Sequence, residues 1–156
     1  LDKLPNVETY IVKPKDGADS IGMELVSKSE LPVKINSNNK NILVQPFINF
    51  NYEVSFYFID HEFQYALYAP DKSKRWALKE YIPTKEDLAF AERFIEWNGL
   101  NWGIQRVDAC RTEEGALLLV ELEDLNPFLS LLELSAETSH TFVEAMKKSL
   151  KKALQP

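Results

Sequence analysis

The sequence holds one cysteine, Cys110, and two histidines, His61 and His140, in 156 residues. A single thiol excludes an internal disulfide and any cysteine-cluster metal site, and its strand-like surroundings assign Cys110 the role of a small packed hydrophobe. The histidines stand far apart in different elements and read as solvated side chains rather than a ligand pair. No apolar run reaches the roughly 20 residues that a membrane-spanning helix needs, and no basic-then-apolar leader opens the chain. The expected location is the cytoplasm. Basic residues are in the minority: 18 Lys and Arg against 24 Asp and Glu leave a net charge of −6. Such a field does not concentrate nucleic acid or anionic lipid, so neither is an expected partner. Internal repeats and low-complexity tracts are also missing, as is an initiating methionine. The chain opens at Leu1 on the approach to a strand, which points to a piece of something larger.

What is present is a globular composition, 45% hydrophobic and 27% charged, in the range of one domain with a real core. Residues 7–13 (VETYIVK) are rich in β-branched and aromatic side chains and run as a strand into Pro14. A loop over 14–22 follows, then a resumed strand at 23–26. Residues 27–32 read as a short helical turn and 35–41 (INSNNKN) as a polar connection. A strand is expected at 41–47, then a hairpin pair over 51–60 and 63–69 with His61-Glu62 as its turn. Residues 70–75 form a charged loop. Thr84 starts a helix that runs to about Trp97, with Leu88, Ala91, Phe94 and Ile95 on one face, and Asn98-Gly99 closes it. A second strand pair, 102–111 and 116–123, turns at 112–115, and 136–154 is an amphipathic helix. Helices alternating with antiparallel strand pairs predict an α+β fold, helices packed on sheets.

Two groups of residues carry chemistry. Lys13 stands at a strand end just before a loop with Gly17, Ser20 and Gly22; such a loop can close its backbone N–H groups over phosphate while the ammonium neutralises an oxygen. It is no Walker motif, because the lysine precedes the glycines. The other reading is an ordinary surface loop. Further on, Asp108 lies on one strand and Glu121 and Glu123 on the next, where period two puts both glutamates on one face, opposite Leu118, Val120 and Leu122. Pairing about the turn brings Asp108 near them. Carboxylates inside hydrophobic strands are costly to bury without a cation, so a magnesium site competes with a solvated strand face. Lys72, Lys74 and Arg75 form a solvated loop run that could also meet an anion. The lysines ending the last helix suit its dipole. Phe47, Phe50, Tyr52, Phe56 and Phe58 fit a core rather than a base-stacking surface.

In this order the pieces resemble the ATP-grasp superfamily of carboxylate ligases, from Ile11 to Asn126 and on through the final helix. The resemblance implies a fold of two α+β subdomains gripping ATP, here 1–47 as part of the smaller lobe with the phosphate loop and 48–156 as the larger lobe with the metal site. It implies that Lys13 and the Ser20 loop hold phosphate, and that Gln45-Pro46-Phe47-Ile48 is the adenine linker. There Pro46 would offer a carbonyl, Ile48 an N–H and Gln45 its amide, and Glu53 would accept from the ribose hydroxyls. Asp108 and Glu121 would hold magnesium, with Arg106 stabilising developing charge. The third ligand in the family is an asparagine two residues after the glutamate, a place taken by Glu123; either Glu123 serves, or Asn126 before Pro127 shifts in. The family's preceding domain and upstream phosphate lysine have no counterpart in the sequence.

The implied activity is ATP- and Mg2+-dependent activation of a carboxylate as an acylphosphate, attacked by an amine or similar nucleophile. Two alternatives accompany it: a nucleotide-binding or regulatory module without turnover, and a kinase of the same fold. Expected partners are a small carboxylate and an amine, together with a second copy of the chain or the rest of a longer one.

Overall fold

The computed structural model describes residues 4–16, 21–38, 41–124 and 126–155. The chain divides into two compact units, Leu1–Asn49 and Phe50–Pro156.

The first unit is a three-stranded antiparallel sheet in the order β2-β1-β3, built from β1 (Thr9–Pro14), β2 (Glu24–Ser27) and β3 (Ile42–Pro46), with helix α1 at Leu31–Asn38. Alternation in β1 sends Tyr10 and Val12 into a small core with Val26 and Leu31. Two prolines sit in this ladder at no cost. The Phe47 N–H donates to the Thr9 carbonyl at 3.0 Å. The neighbouring pairs Tyr10/Pro46 and, further on, Pro14/Ile42 therefore fall at the positions where an antiparallel pair exchanges no hydrogen bond. Gly22 closes the turn into β2 at φ 76°, and a Cβ there would stand 2.9 Å from Pro14 Cγ, so glycine is required on both counts.

The second unit is a five-stranded antiparallel sheet, order β6-β5-β4-β7-β8. Its elements are β4 (Phe50–Ile59), β5 (Glu62–Ala69), β6 (Lys79–Tyr81), α2 (Lys85–Asn98), β7 (Ile104–Thr112), β8 (Leu117–Asp124) and α3 (Ala136–Ala153). Both faces of the sheet are covered. Val54, Phe56 and Phe58 pack with Val107, Ala109 and the α2 residues Ala91 and Ile95. Tyr57 and Ile59 face the other way, with Tyr65, Leu67 and Phe142 of α3. The expected buried face of α2 holds at Ala91 and Ile95, while Leu88 and Phe94 are half-buried. Thr84 caps α2 in a reciprocal box with Asp87, and Gly99 ends it in the left-handed conformation at φ 67°.

Asp87 does more than cap. Its carboxylate accepts from Arg111 Nη2 at 2.6 Å and from the Tyr81 hydroxyl at 2.8 Å, and Arg111 Nε reaches the Tyr52 hydroxyl at 3.2 Å. One buried network thus joins α2 to β4, β6 and β7.

Four local expectations are corrected. The helix is not a turn over 27–32 followed by a polar connection: α1 runs Leu31–Asn38, because a proline is tolerated in the first turn, where Pro32 lies. The β4–β5 turn is Asp60-His61, since Ile59 pairs with Glu62; Asp60 takes φ 56° while its side chain accepts from the Gly103 N–H and the Ser149 hydroxyl. A short edge strand, β6, follows the charged loop. Alternation in β8 is broken by a bulge, with Asp108 opposite Glu121 but Ala109 opposite Leu119. Val120 is the extra residue, and Leu118, Leu119 and Val120 are all exposed. Among the described residues no helix is long and apolar enough to cross a membrane.

Candidate metal and nucleotide site

Period two and the observed register assemble one face of the five-stranded sheet. Ser55 of β4 stands opposite Asp108, Tyr57 opposite Arg106, Asp108 opposite Glu121 and Arg106 opposite Glu123. Paired residues share a face. This is the face that Tyr57 and Ile59 present to α3 further along, so the same sheet surface is a core at one end and a charged site at the other.

The carboxylates of Asp108, Glu121 and Glu123 each place an oxygen within 4.8 Å of the others. Arg106 lies among them. Its Nε bonds Asp108 Oδ1 at 2.9 Å and Oδ2 at 3.1 Å, and its Nη2 reaches Asp108 Oδ2 at 2.7 Å and Glu123 Oε1 at 2.8 Å. Its Nη1 donates to the Phe128 carbonyl at 3.2 Å. Burial alone would ease the proton off Arg106, but the Asp108 bonds and charges reverse this and hold the guanidinium more firmly protonated than usual. Against one guanidinium stand three carboxylates, so the ionised cluster keeps an excess of two negative charges. Hard oxygen donors with that residual charge fit a small divalent cation.

Two tyrosines fix the segment after β8 over this face. Their rings stack at 4.3 Å; Tyr57 donates to the Phe128 carbonyl at 3.2 Å and Tyr65 to that of Leu129 at 2.7 Å. Burial raises both phenols above their ordinary range, so both remain donors at any physiological pH. Sequence reasoning missed this pair, since a tyrosine in a strand has no mark to distinguish it from core.

Glu53, also on β4, faces Ala69 and Cys110 across its neighbours. It forms an ion pair with Arg75 at 2.9 Å in a shallow concavity lined by Phe50, Glu53, Ala69, Lys72 and Arg75. Lys72 lies over the Phe50 ring at 5.2 Å. The charged loop is solvated, as expected, with Lys72, Lys74 and Arg75 all exposed, and Arg75 reaches back from it to Glu53. Cys110 is buried, and burial together with the Glu53 charge raises its thiol pKa, as a packed, unreactive cysteine requires.

In the first unit, Lys13 pairs with Leu43 and Ile11 with Gln45, so Lys13 and Gln45 lie on one face of that sheet, away from the Tyr10–Val12 core. Pro46 ends β3, and Phe47 and Ile48 follow it, with Ile48 exposed. Ser20 lies outside the described residues. Asn126 is exposed, and its N–H donates to the Asp124 carbonyl at 2.7 Å. The structure brings Asp108, Glu121, Glu123 and Arg106 together on one sheet face and Lys13 with Gln45 on another.

No protein-family model matches the sequence, and no curated protein matches it. Solved structures do. D-cycloserine synthetase DcsG is similar at TM-score 0.64 and 18% identity over 89% of this chain and 56% of that one. D-alanine–D-alanine ligase from Bacillus anthracis is similar at TM-score 0.62 and 15% identity over 93% of this chain and 55% of that one. The ATP-grasp ligase PsnB, complexed with a minimal precursor, Mg and ADP, is similar at TM-score 0.58 and 18% identity over 74% of this chain and 38% of that one. The chain spans little more than half the length of the first two, and less of the third.

Proposed function

We propose that this chain, which has the ATP-grasp fold, is the nucleotide- and metal-binding portion of an ATP-dependent carboxylate ligase. The observation that carries the reading is the convergence of Asp108, Glu121 and Glu123 around Arg106 on the β4–β7–β8 face. An oxygen-donor set next to a guanidinium is equipment for handling a polyphosphate, and the ATP-grasp ligase PsnB was solved with Mg and ADP.

In this reading Asp108, Glu121 and Glu123 or Asn126 hold magnesium, which when bound neutralises phosphate oxygens and favours departure of ADP. Lys13 and the Ser20 loop hold phosphates. The Phe47 N–H is committed to the Thr9 carbonyl, so Ile48 supplies the donor of the adenine linker and Pro46 the acceptor, with the amide of Gln45 beside them. Glu53 accepts from ribose hydroxyls once Arg75 is drawn off it. A carboxylate oxygen of the substrate attacks the γ-phosphorus, the bond to the β-phosphate oxygen breaks, and ADP leaves with that electron pair. The acylphosphate is then attacked at carbon by an amine, which loses a proton as phosphate departs. Arg106, whose Nη1 donates to the Phe128 carbonyl, faces the charge that develops on the transferred group. The division 1–47 and 48–156 into smaller and larger lobes belongs to the same proposal.

Trapping tests it. With Mg2+, ATP and a panel of small carboxylic acids, hydroxylamine should intercept the acylphosphate as a hydroxamate formed in step with ADP. A phosphorylated acceptor without hydroxamate would instead mark a kinase. ATP binding with neither product would mark a nucleotide-binding module.

A further inference from the structure

We propose that Arg106 is a resident counter-cation of the carboxylate cluster, and that a divalent ion enters by displacing its guanidinium from Asp108 and Glu123. The inference rests on the metal reading above and adds an exchange step to it. Both oxygens of Asp108 are engaged by Arg106, at 2.9 and 2.7 Å, and the same Nη2 holds Glu123 at 2.8 Å. A planar guanidinium fork on a carboxylate uses the in-plane lone pairs that a metal would take, and the two cations would repel across a shared oxygen. The pair is also sheltered: the Arg106 and Asp108 side chains are 14% and 18% exposed, so water screens the competition poorly.

The guanidinium has somewhere to go. Its Nη1 already donates to the Phe128 carbonyl, and its centre lies 6.0 Å from the Tyr57 ring, a carbonyl and an aromatic face that hold a cation without a carboxylate. Tyr57 and Tyr65 keep that segment in place from below. The consequence is coupling. With no metal, Arg106 neutralises part of the cluster; once metal takes Asp108, the freed donors of Arg106 point an uncompensated positive charge toward the phosphoryl group, so metal arrival and readiness to bind the anion become one event.

The test uses the full chain without nucleotide. Arg106→Met removes the competitor, and calorimetric titration with Mn2+ should show affinity raised by roughly tenfold or more. Arg106→Lys keeps a charge but not the fork and should fall between, which covers the case in which the methionine variant folds poorly. In the native chain, the Arg106 Nε–H resonance should shift and lose its protection from solvent exchange as Mg2+ saturates. Unchanged Mn2+ affinity in the variants, with an Arg106 signal indifferent to bound Mg2+, would overturn the exchange and leave the metal site standing. Absence of binding at millimolar Mn2+ in native and variant chains alike would remove the metal site and the exchange with it.

Discussion

Replacing Asp108 and Glu121 together by alanine in the intact protein should abolish metal-dependent ADP formation, a fall of about a hundredfold to a thousandfold or more, the scale seen when preorganised electrostatic groups are removed. Of the three clustered carboxylates, the double variant leaves only Glu123, which already bonds Arg106 at 2.8 Å. One carboxylate facing one guanidinium has no residual charge to offer a divalent ion. The isosteric pair Asp108→Asn and Glu121→Gln preserves volume, leaves Glu123 to neutralise Arg106, and should behave alike in turnover. ADP formation that survives both pairs with its metal dependence intact would remove these residues from the site.

The second large effect is structural. Arg111→Met should destabilise the second unit by about 3–5 kcal/mol, the loss expected when one partner of a buried ion pair is removed and the other is left uncompensated. Asp87 is only 3% exposed and receives Arg111 at 2.6 Å. For a domain of this size the loss amounts to a fall in melting temperature of roughly 15–25 °C. Combining Arg111→Met with Asp87→Leu should cost less than the sum of the two single changes, since no charge is then left stranded. The same pair sets an acid limit. Burial pushes the Asp87 carboxyl up, but the bonds from Arg111, Tyr81 and the Thr84 N–H outweigh it, and its pKa lies below the usual carboxylate value. Its contribution to stability is therefore complete above about pH 4 and disappears as pH falls through the folded-state value. Asp87→Asn should flatten that part of the stability profile in acid denaturation followed by circular dichroism.

Much of the fold could be read from local pattern because the local signals were strong. Alternation marked both strand pairs, Thr84 and Asn98-Gly99 bracketed α2, and Asp108 could be placed near Glu121 from the hairpin turn alone. Helix α1 was misplaced because Asn36, Ser37 and Asn38 carry no apolar period and Pro32 reads equally as a stop or as a first-turn residue. Strand β6 escaped because three residues, Lys79, Glu80 and Tyr81, are too few to show a period. The bulge at Val120 is a matter of register between two strands, which neither strand encodes by itself. The site was legible as residue types, not as a bonded arrangement. That Arg106 would fork onto Asp108 and share Glu123, or that Arg75 would close on Glu53 across 22 residues of sequence, depends on side-chain direction within an assembled sheet. The Arg111–Asp87 network was missed for the same reason.

In the proposed function this chain binds ATP together with a divalent ion. Isothermal calorimetry with ATP, in the presence of Mg2+ and again with the metal chelated, measures that directly. Saturable binding that weakens at least roughly tenfold on chelation, and likewise in the Asp108/Glu121 double variant, is the predicted result; no heat of binding, or binding indifferent to metal and to both carboxylates, would contradict it.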